Sequence, residues 1–454
     1  MINFYLTNKI HYLSCVFFAV FSYNIFSQFK GQKEYDVAAI VWPSYHPDDR
    51  AKIFWPDGIG EWQTVISNRP KFKGHQQPRF PLWGYINQSD PYVAEMEIKA
   101  ATDHGVNVFI FDWYWYDGMP YLEGHLNDGF LKARNNHKMQ FYLMWANHDV
   151  SRAWDKRGAD DVFNQIDKSI IWNGAISRDE FEKICKRFII KYFSKPNYYK
   201  INNKPVFMIY SLNDFIEGLG GVDQSIDAIH WFRNEVKNYG FDGLELQYSL
   251  RLDGQRDINV NNQKIGREKK IIEDFGFDSL THYVYAHMTN VDRDYREVLN
   301  DVENIWEWVS ENYKATYFPQ VSVGWDTSPR AKKFTGSITK NSTPENFEIA
   351  LRKAKKFLDL RPNQQQLIVI NSWNEWTETS YLMPCDVYGY KYLETLKKIF
   401  VENNILTPKF LNYSFDDKTS HLKSLIAKKL GYPVVIKPIN EGSSVNVFIC
   451  NKKN

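Results

Sequence analysis

Glu375 and Glu378 are the residues of this chain best placed to do chemistry. They stand three apart in Ser372-Trp373-Asn374-Glu375-Trp376-Thr377-Glu378, directly after the apolar run Gln366-Leu367-Ile368-Val369-Ile370-Asn371. Cleaving a glycosidic bond needs a proton donor for the leaving oxygen and a second carboxylate acting as base or nucleophile. Two carboxyls on one turn of backbone at the end of a buried strand meet that need. Trp373 and Trp376 beside them can exclude water and raise one carboxyl pKa towards an acid role. The competing reading is a solvated turn whose glutamates cap the next helix. Asp112 and Asp326 are further carboxylates, suited to direct chemistry or to orienting an Asn or Arg. His148 and His282 can bind sugar hydroxyls, tune a glutamate or be purely structural. No H-x-x-x-H, H-E-x-x-H or D-x-D-x-D-G spacing occurs, so neither a metal site nor a cofactor is expected.

Something must hold these groups together. From residue 37 onward the chain alternates short β-branched or aromatic runs with amphipathic segments. Strands are expected at 37–42, 106–113, 140–145, 205–210, 243–248, 279–284, 316–323 and 366–371. Helices are expected at 91–104, 178–193, 223–239, 295–313, 344–360 and 388–401, with Thr343 opening one and Gly105 and Gly240 closing two. Near-continuous apolar strands alternating with helices indicate a parallel sheet covered on both faces. Eight such units fit an α/β fold of the TIM type, a (β/α)8 barrel with enlarged βα loops. An open doubly wound sheet would want a Gly-rich turn after its first strand, where this chain has Pro43-Ser44-Tyr45-His46-Pro47.

In such a barrel catalytic groups sit at the C-terminal ends of strands. Those ends carry Asp112, Trp113 and Trp115; Trp145, Asn147 and His148; Tyr210; His282 and Tyr283; Trp325 and Asp326; and the Glu375/Glu378 segment. Aromatic residues beside hydroxyl-binding groups recur from strand to strand. Their abundance, 15 Trp, 28 Tyr and 31 Phe, suits both the faces of sugar rings and a large core. Net charge is only +2, so the bulk charge asks for neither nucleic acid nor an anionic membrane. Four scattered cysteines without a C-x-x-C exclude a disulfide scaffold and a zinc ribbon.

Gly60-Glu61-Trp62, the segment from Phe72 to Pro78 with His75 and Gln77, Trp145-Ala146-Asn147, Gly324-Trp325-Asp326-Thr327-Ser328-Pro329-Arg330 and Asn374-Glu375-Trp376-Thr377-Glu378 resemble the WbsX-like family. That family is related to glycoside hydrolase family 99, the endo-α-mannosidases and endo-α-mannanases. The likeness runs over residues 36 to 402, and N-E-W-x-E is its most specific part. It implies a retaining glycosidase on a (β/α)8 barrel. Glu375 would act as base on the substrate's own 2-hydroxyl, giving a 1,2-anhydro sugar, and Glu378 as acid/base at the glycosidic oxygen. Glu61, Trp62, His75, Gln77, Trp373, Asn374 and Trp376 join the rim residues as expected substrate contacts. The chain departs from its branch at His148, where relatives continue with Glu. It departs from family 99 at Thr379, where a glycine is usual. Relatives described as glycosyltransferases of polysaccharide synthesis, and a non-catalytic carbohydrate-binding barrel, stay open as alternatives.

The two ends differ from the middle. Residues 1–27 carry a weakly basic start, the apolar run Tyr12–Phe21 and Ser27 before Gln28, the pattern of a cleaved signal peptide. An uncleaved anchor or a disordered terminus is the alternative. Export is therefore expected, with the barrel over 28–405 and no integral membrane span after cleavage. From 406 to 454 a short appendage follows. Its Tyr432-Pro433-Val434-Val435-Ile436-Lys437-Pro438 and Glu441-Gly442-Ser443-Ser444-Val445 look like a piece of the ATP-grasp region of D-alanine–D-alanine ligases. No acidic metal ligands follow it, so ATP binding is not expected. The expected partner is a carbohydrate.

Overall fold

The computed structural model describes residues 35–151, 170–331, 334 and 337–402, with the backbone of 434–436 and 448–450. The expected signal peptide and most of the appendage lie outside the described residues. The chain divides into two units, Met1–Glu402 and Asn403–Asn454. In the second, Val434–Ile436 pairs antiparallel with Phe448–Cys450.

Eight parallel strands build the first unit: β1 (Asp36–Val41), β2 (Val108–Tyr116), β3 (Gln140–Trp145), β4 (Lys204–Ile209), β5 (Glu245–Leu250), β6 (Ser279–His282), β7 (Thr316–Tyr317 with Gln320–Ser322) and β8 (Leu367–Asn371). Their order is sequential, and β8 pairs with β1 through Asp36↔Leu367 to Ala39↔Ile370. The two halves of β7 close the ring. Thr316 and Tyr317 pair with β6, whereas Gln320 to Ser322 pair with β8. Only Phe318 and Pro319 separate them. Pro319 has no N–H to give a ladder, so the strand breaks there, yet its carbonyl still accepts from the Val369 N–H at 3.0 Å. The fold is a (β/α)8 barrel.

Strand interiors are buried on both faces: all nine residues of β2 and all six of β5 are. Inside the ring the Tyr142 hydroxyl donates to Gln247. Outside it lie the helices, among them Pro91–Asp103, Arg178–Phe188, Tyr295–Asn312 and Pro344–Asp359. Thr343 caps the last of these by accepting from the Asn346 N–H, and Gly240 ends a turn at φ 89°. Helices at Leu212–Leu219 and Glu268–Phe275 were not anticipated; each is only eight residues long, too short for a clear 3.6-residue period. The expected helix 388–401 is regular only over Lys391–Leu396 and ends in a wider turn. Among the described residues, no helix is long and apolar enough to cross a membrane.

β2 runs three residues past its expected end because Tyr114–Tyr116 pair with Met119–Tyr121 as a hairpin. The extension settles which aromatics face the barrel mouth. Strand side chains alternate, so Asp112 and Tyr114 share one face and Trp113 and Trp115 the other.

Candidate active site

Three carboxylates meet one cation at the end of β8. Arg330 sits in a short turn after β7, Ser328–Arg330. Its Nη1 donates to Glu378 Oε1 at 2.6 Å, its Nη2 lies 3.3 Å from Glu375 Oε2 and its Nε 3.3 Å from Glu61 Oε1. Glu61 is fully buried and takes further hydrogen bonds from the Ser44 and Thr377 hydroxyls, at 3.1 and 2.9 Å, and from the Trp42 indole. Such a buried network holds only while each member keeps its partner.

Ser372 sets the direction of Glu375. Its Oγ accepts from the Glu375 N–H at 2.7 Å and the Asn374 N–H at 3.2 Å, and donates to the Ser380 carbonyl. Asn374 clamps the end of β8 to β1: its amide brackets Trp42, accepting from the N–H at 2.8 Å and donating to the carbonyl at 2.7 Å. Thr379, at φ 54°, turns the chain back. A β-branched residue is strained there, and the Gln77 amide at 2.7 Å holds its hydroxyl.

The second wall is Tyr283. Its hydroxyl lies 2.8 Å from Glu375 Oε1 and 3.0 Å from Asp112 Oδ2. Burial, then the charge of Glu378, push the Glu375 carboxyl well above the ordinary carboxylate range, with Arg330 opposing. Burial also raises Glu378, again against Arg330. Asp112 is pushed well up, by burial first. Burial likewise keeps the Tyr283 phenol protonated. One phenolic proton between two carboxyls, both raised by burial, favours a proton shared between Asp112 and Glu375. Among the described residues, Glu378 Oε2 and Asp112 Oδ1 have no hydrogen-bond partner.

The expected contacts divide into three groups. Glu375, Glu378, Asp112, Tyr283 and, through Arg330, Glu61 converge. Tyr210 and His148 border them, with ring centroids 5.5 Å apart, and Tyr210 meets Tyr283 edge-on at 5.5 Å. Beside Thr379 lies a cavity of about 500 Å³ lined by His75, Trp325, Asp326 and Tyr381 among others. There His75 Nδ1 accepts from the Lys71 N–H, so its Nε2–H donates to Asp326 at 2.8 Å, and Gln77 reaches the same oxygen at 3.2 Å.

The third group corrects the expectation. Trp113 and Trp115 stack on the outer face of β2, donating to Glu123 and Glu180 and packing on Arg178–Phe188. Trp145 packs outward on Phe181 and Phe215. Trp373 is fully buried with its indole on Glu97. Trp62 and Trp376 pack on one another, and Trp376 stacks on Tyr381 at 3.9 Å. Asn147 ties the β3 loop to Ser211. His282 is fully buried between the Leu252 carbonyl and the Tyr317 hydroxyl. These residues support the mouth from behind. Sequence reasoning passed over Arg330 and Ser372, although Arg330 closes the Gly324–Arg330 segment and is its one cation.

Among the described residues, no group of three or more His, Cys, Asp or Glu side chains could hold a metal ion.

The protein WxcX of Xanthomonas campestris pv. campestris is 26% identical over 378 residues, covering 80% of this chain and 49% of its own length. The chain thus spans about half the length of the curated relatives it matches along most of its length. The GH99 endo-alpha-mannosidase of Bacteroides thetaiotaomicron, in complex with BIS-TRIS-propane, superposes with a TM-score of 0.51 at 13% identity, covering 81% of this chain and 97% of the other. A structure described as a glycoside hydrolase-like protein does so at 0.52 and 15%, covering 81% and 94%. At such identities these structures share the fold. A stretch of 61 residues is 52% identical to the D-alanine–D-alanine ligase of Pelagibacter ubique, 13% of this chain and 20% of that one. The family described as Glycosyltransferase WbsX matches residues 37–396, and the chain belongs to that family.

Proposed function

We propose that the chain is a retaining glycoside hydrolase acting on a poly- or oligosaccharide, with Glu378 as acid/base and Glu375 as the base or nucleophile opposite it. One observation carries this reading. Two neighbouring carboxyls, both raised by burial, sit on the two terminal nitrogens of one guanidinium at the C-terminal rim of a barrel. A carboxyl raised above its ordinary range keeps a proton to give to a leaving oxygen. Arg330 holds one Glu378 oxygen, and the other has no partner among the described residues, which supports delivery from that second oxygen. Glu375, tied to Tyr283, has a second proton-holding group within reach in Asp112.

The family's description favours a second reading, glycosyl transfer. The same carboxyls would then deprotonate an acceptor hydroxyl. The experiment incubates the full chain and E378Q with mannans, rhamnose-rich pectins and host glycans, and separately with nucleotide sugars plus acceptor. Hydrolysis of a glycan by the wild type, reduced at least about a thousandfold in E378Q with binding retained, supports the hydrolase. Release of nucleotide with transfer of the sugar supports the second reading. Export through residues 1–27 belongs to the same proposal, and N-terminal sequencing of the protein from its host tests it.

A further inference from the structure

Opposite the carboxylates the mouth carries a cation of a different kind. Arg251 follows β5 directly, and its guanidinium lies 4.8 Å from the centroid of the Tyr210 ring. The ring of Tyr210 meets Tyr283, whose hydroxyl is 2.8 Å from Glu375. Arg251 therefore stands one aromatic layer away from the reacting carboxyls. Where Arg330 faces three carboxylates, and Arg256 and Arg233 pair with Glu268 and Asp278, no carboxylate among the described residues pairs with Arg251.

Its neighbours are neutral. His287 packs on both Tyr210 and Tyr283, at 6.1 and 5.9 Å, and its buried Nδ1 has no partner among the described residues. Burial, then Arg251 itself, hold that imidazole uncharged. The turn bearing Arg251 is well anchored. The Leu252 N–H donates to the His287 carbonyl at 2.6 Å, the Leu252 carbonyl accepts from His282 at 2.6 Å, and Tyr313 donates to the Asp253 carbonyl at 3.0 Å. Tyr210, Arg251 and His287 are all only half-buried. A guanidinium that meets the neutral Tyr210 side chain but no carboxylate among the described residues, beside an imidazole nitrogen with no partner among them, lacks one thing, a negative charge. The planar fork of arginine fits a carboxylate, sulfate or phosphate with two hydrogen bonds.

We propose that Arg251, with His287 and the Tyr210 ring, binds an anionic substituent, a carboxylate or sulfate ester, on a sugar of the substrate glycan. This deepens the glycosidase reading and rests on it. Tyr210 would take the sugar face while Arg251 takes the charge.

The test titrates the full chain with sodium sulfate, with trigalacturonate, with its carboxyl-reduced neutral counterpart and with UDP, following the imidazole NMR signal of His287, assigned with H287Q. Sulfate and trigalacturonate are expected to move that signal in the wild type and to bind at least about tenfold more weakly to R251Q. R251K, which keeps the charge and loses the fork, should fall between. The neutral trisaccharide should show no dependence on residue 251. Absence of any sulfate-induced shift, or R251Q binding sulfate and trigalacturonate within twofold of wild type, would overturn the proposal. Capture of UDP through Arg251 without capture of trigalacturonate would overturn the glycan assignment and favour transfer from a nucleotide donor. Hydrolysis of anionic glycans, equally fast and with the same KM in wild type and R251Q, would overturn the anion site while the hydrolase stands. Arg251-dependent trigalacturonate binding with no hydrolysis of any glycan would leave the anion site and remove the hydrolase.

Discussion

Replacing Arg330 by Met should reveal how much the active-site cluster depends on one cation. The guanidinium contacts three carboxylates at 2.6–3.3 Å, and its side chain is 15% exposed. At roughly 4 Å between charge centres and an effective dielectric of about 20, each full ion pair is worth about 4 kcal/mol. The three do not add, because burial raises both Glu375 and Glu378 and so opposes their ionised forms. Removing one partner of a buried pair typically costs about 3–5 kcal/mol, the value expected here at pH 7. The deficit has a sign in pH. Arg330 opposes the burial-driven rise of both glutamates, so without it their folded-state pKa values climb further above the unfolded ones. A carboxyl raised in the folded state binds a proton that the unfolded chain has lost, and stability falls as pH rises through that window. The loss in R330M should therefore be small near pH 5 and grow towards pH 8. Urea unfolding followed by tryptophan fluorescence at pH 5, 6.5 and 8 measures it. A loss below about 1 kcal/mol, or one independent of pH, would refute the buried-network account.

Burial first, and the charge of Asp112 among the smaller causes, raise Glu375, so D112N should lower the pKa of that base and move the acidic limb of the kcat/KM profile to lower pH; an unmoved limb would remove Asp112 from the proton-sharing group. T379G relieves about 1–2 kcal/mol of left-handed strain and loses the Gln77 bond, worth about 1 kcal/mol, so it should be near neutral. T379V loses the bond without relief, and equal stability of the two variants in denaturant titration would contradict this. W113A should cost about 3–5 kcal/mol by emptying an outward-facing core position, yet keep substrate affinity within about twofold once folded at low temperature; a selective loss of affinity would return Trp113 to the mouth.

Much of this protein was legible in the chain alone. Eight strands could be placed because each is a short apolar run between punctuated polar stretches, and Glu375 and Glu378 stood out because two acids follow the last of them. The choice between inward and outward aromatics was not legible. Trp113 and Trp115 alternate with Asp112 and Tyr114, and a two-residue period assigns opposite faces without saying which face is the barrel's interior. Arg330, Glu61 and Tyr283 are separated from Glu375 by 45, 314 and 92 positions of sequence, and their meeting depends on ring closure through the split β7. Local pattern determines elements because backbone preference and hydrophobic period act over a few residues. Which charges share a buried volume, and so which carboxyls keep their protons, depends on distances that exist only once the eight strands have closed.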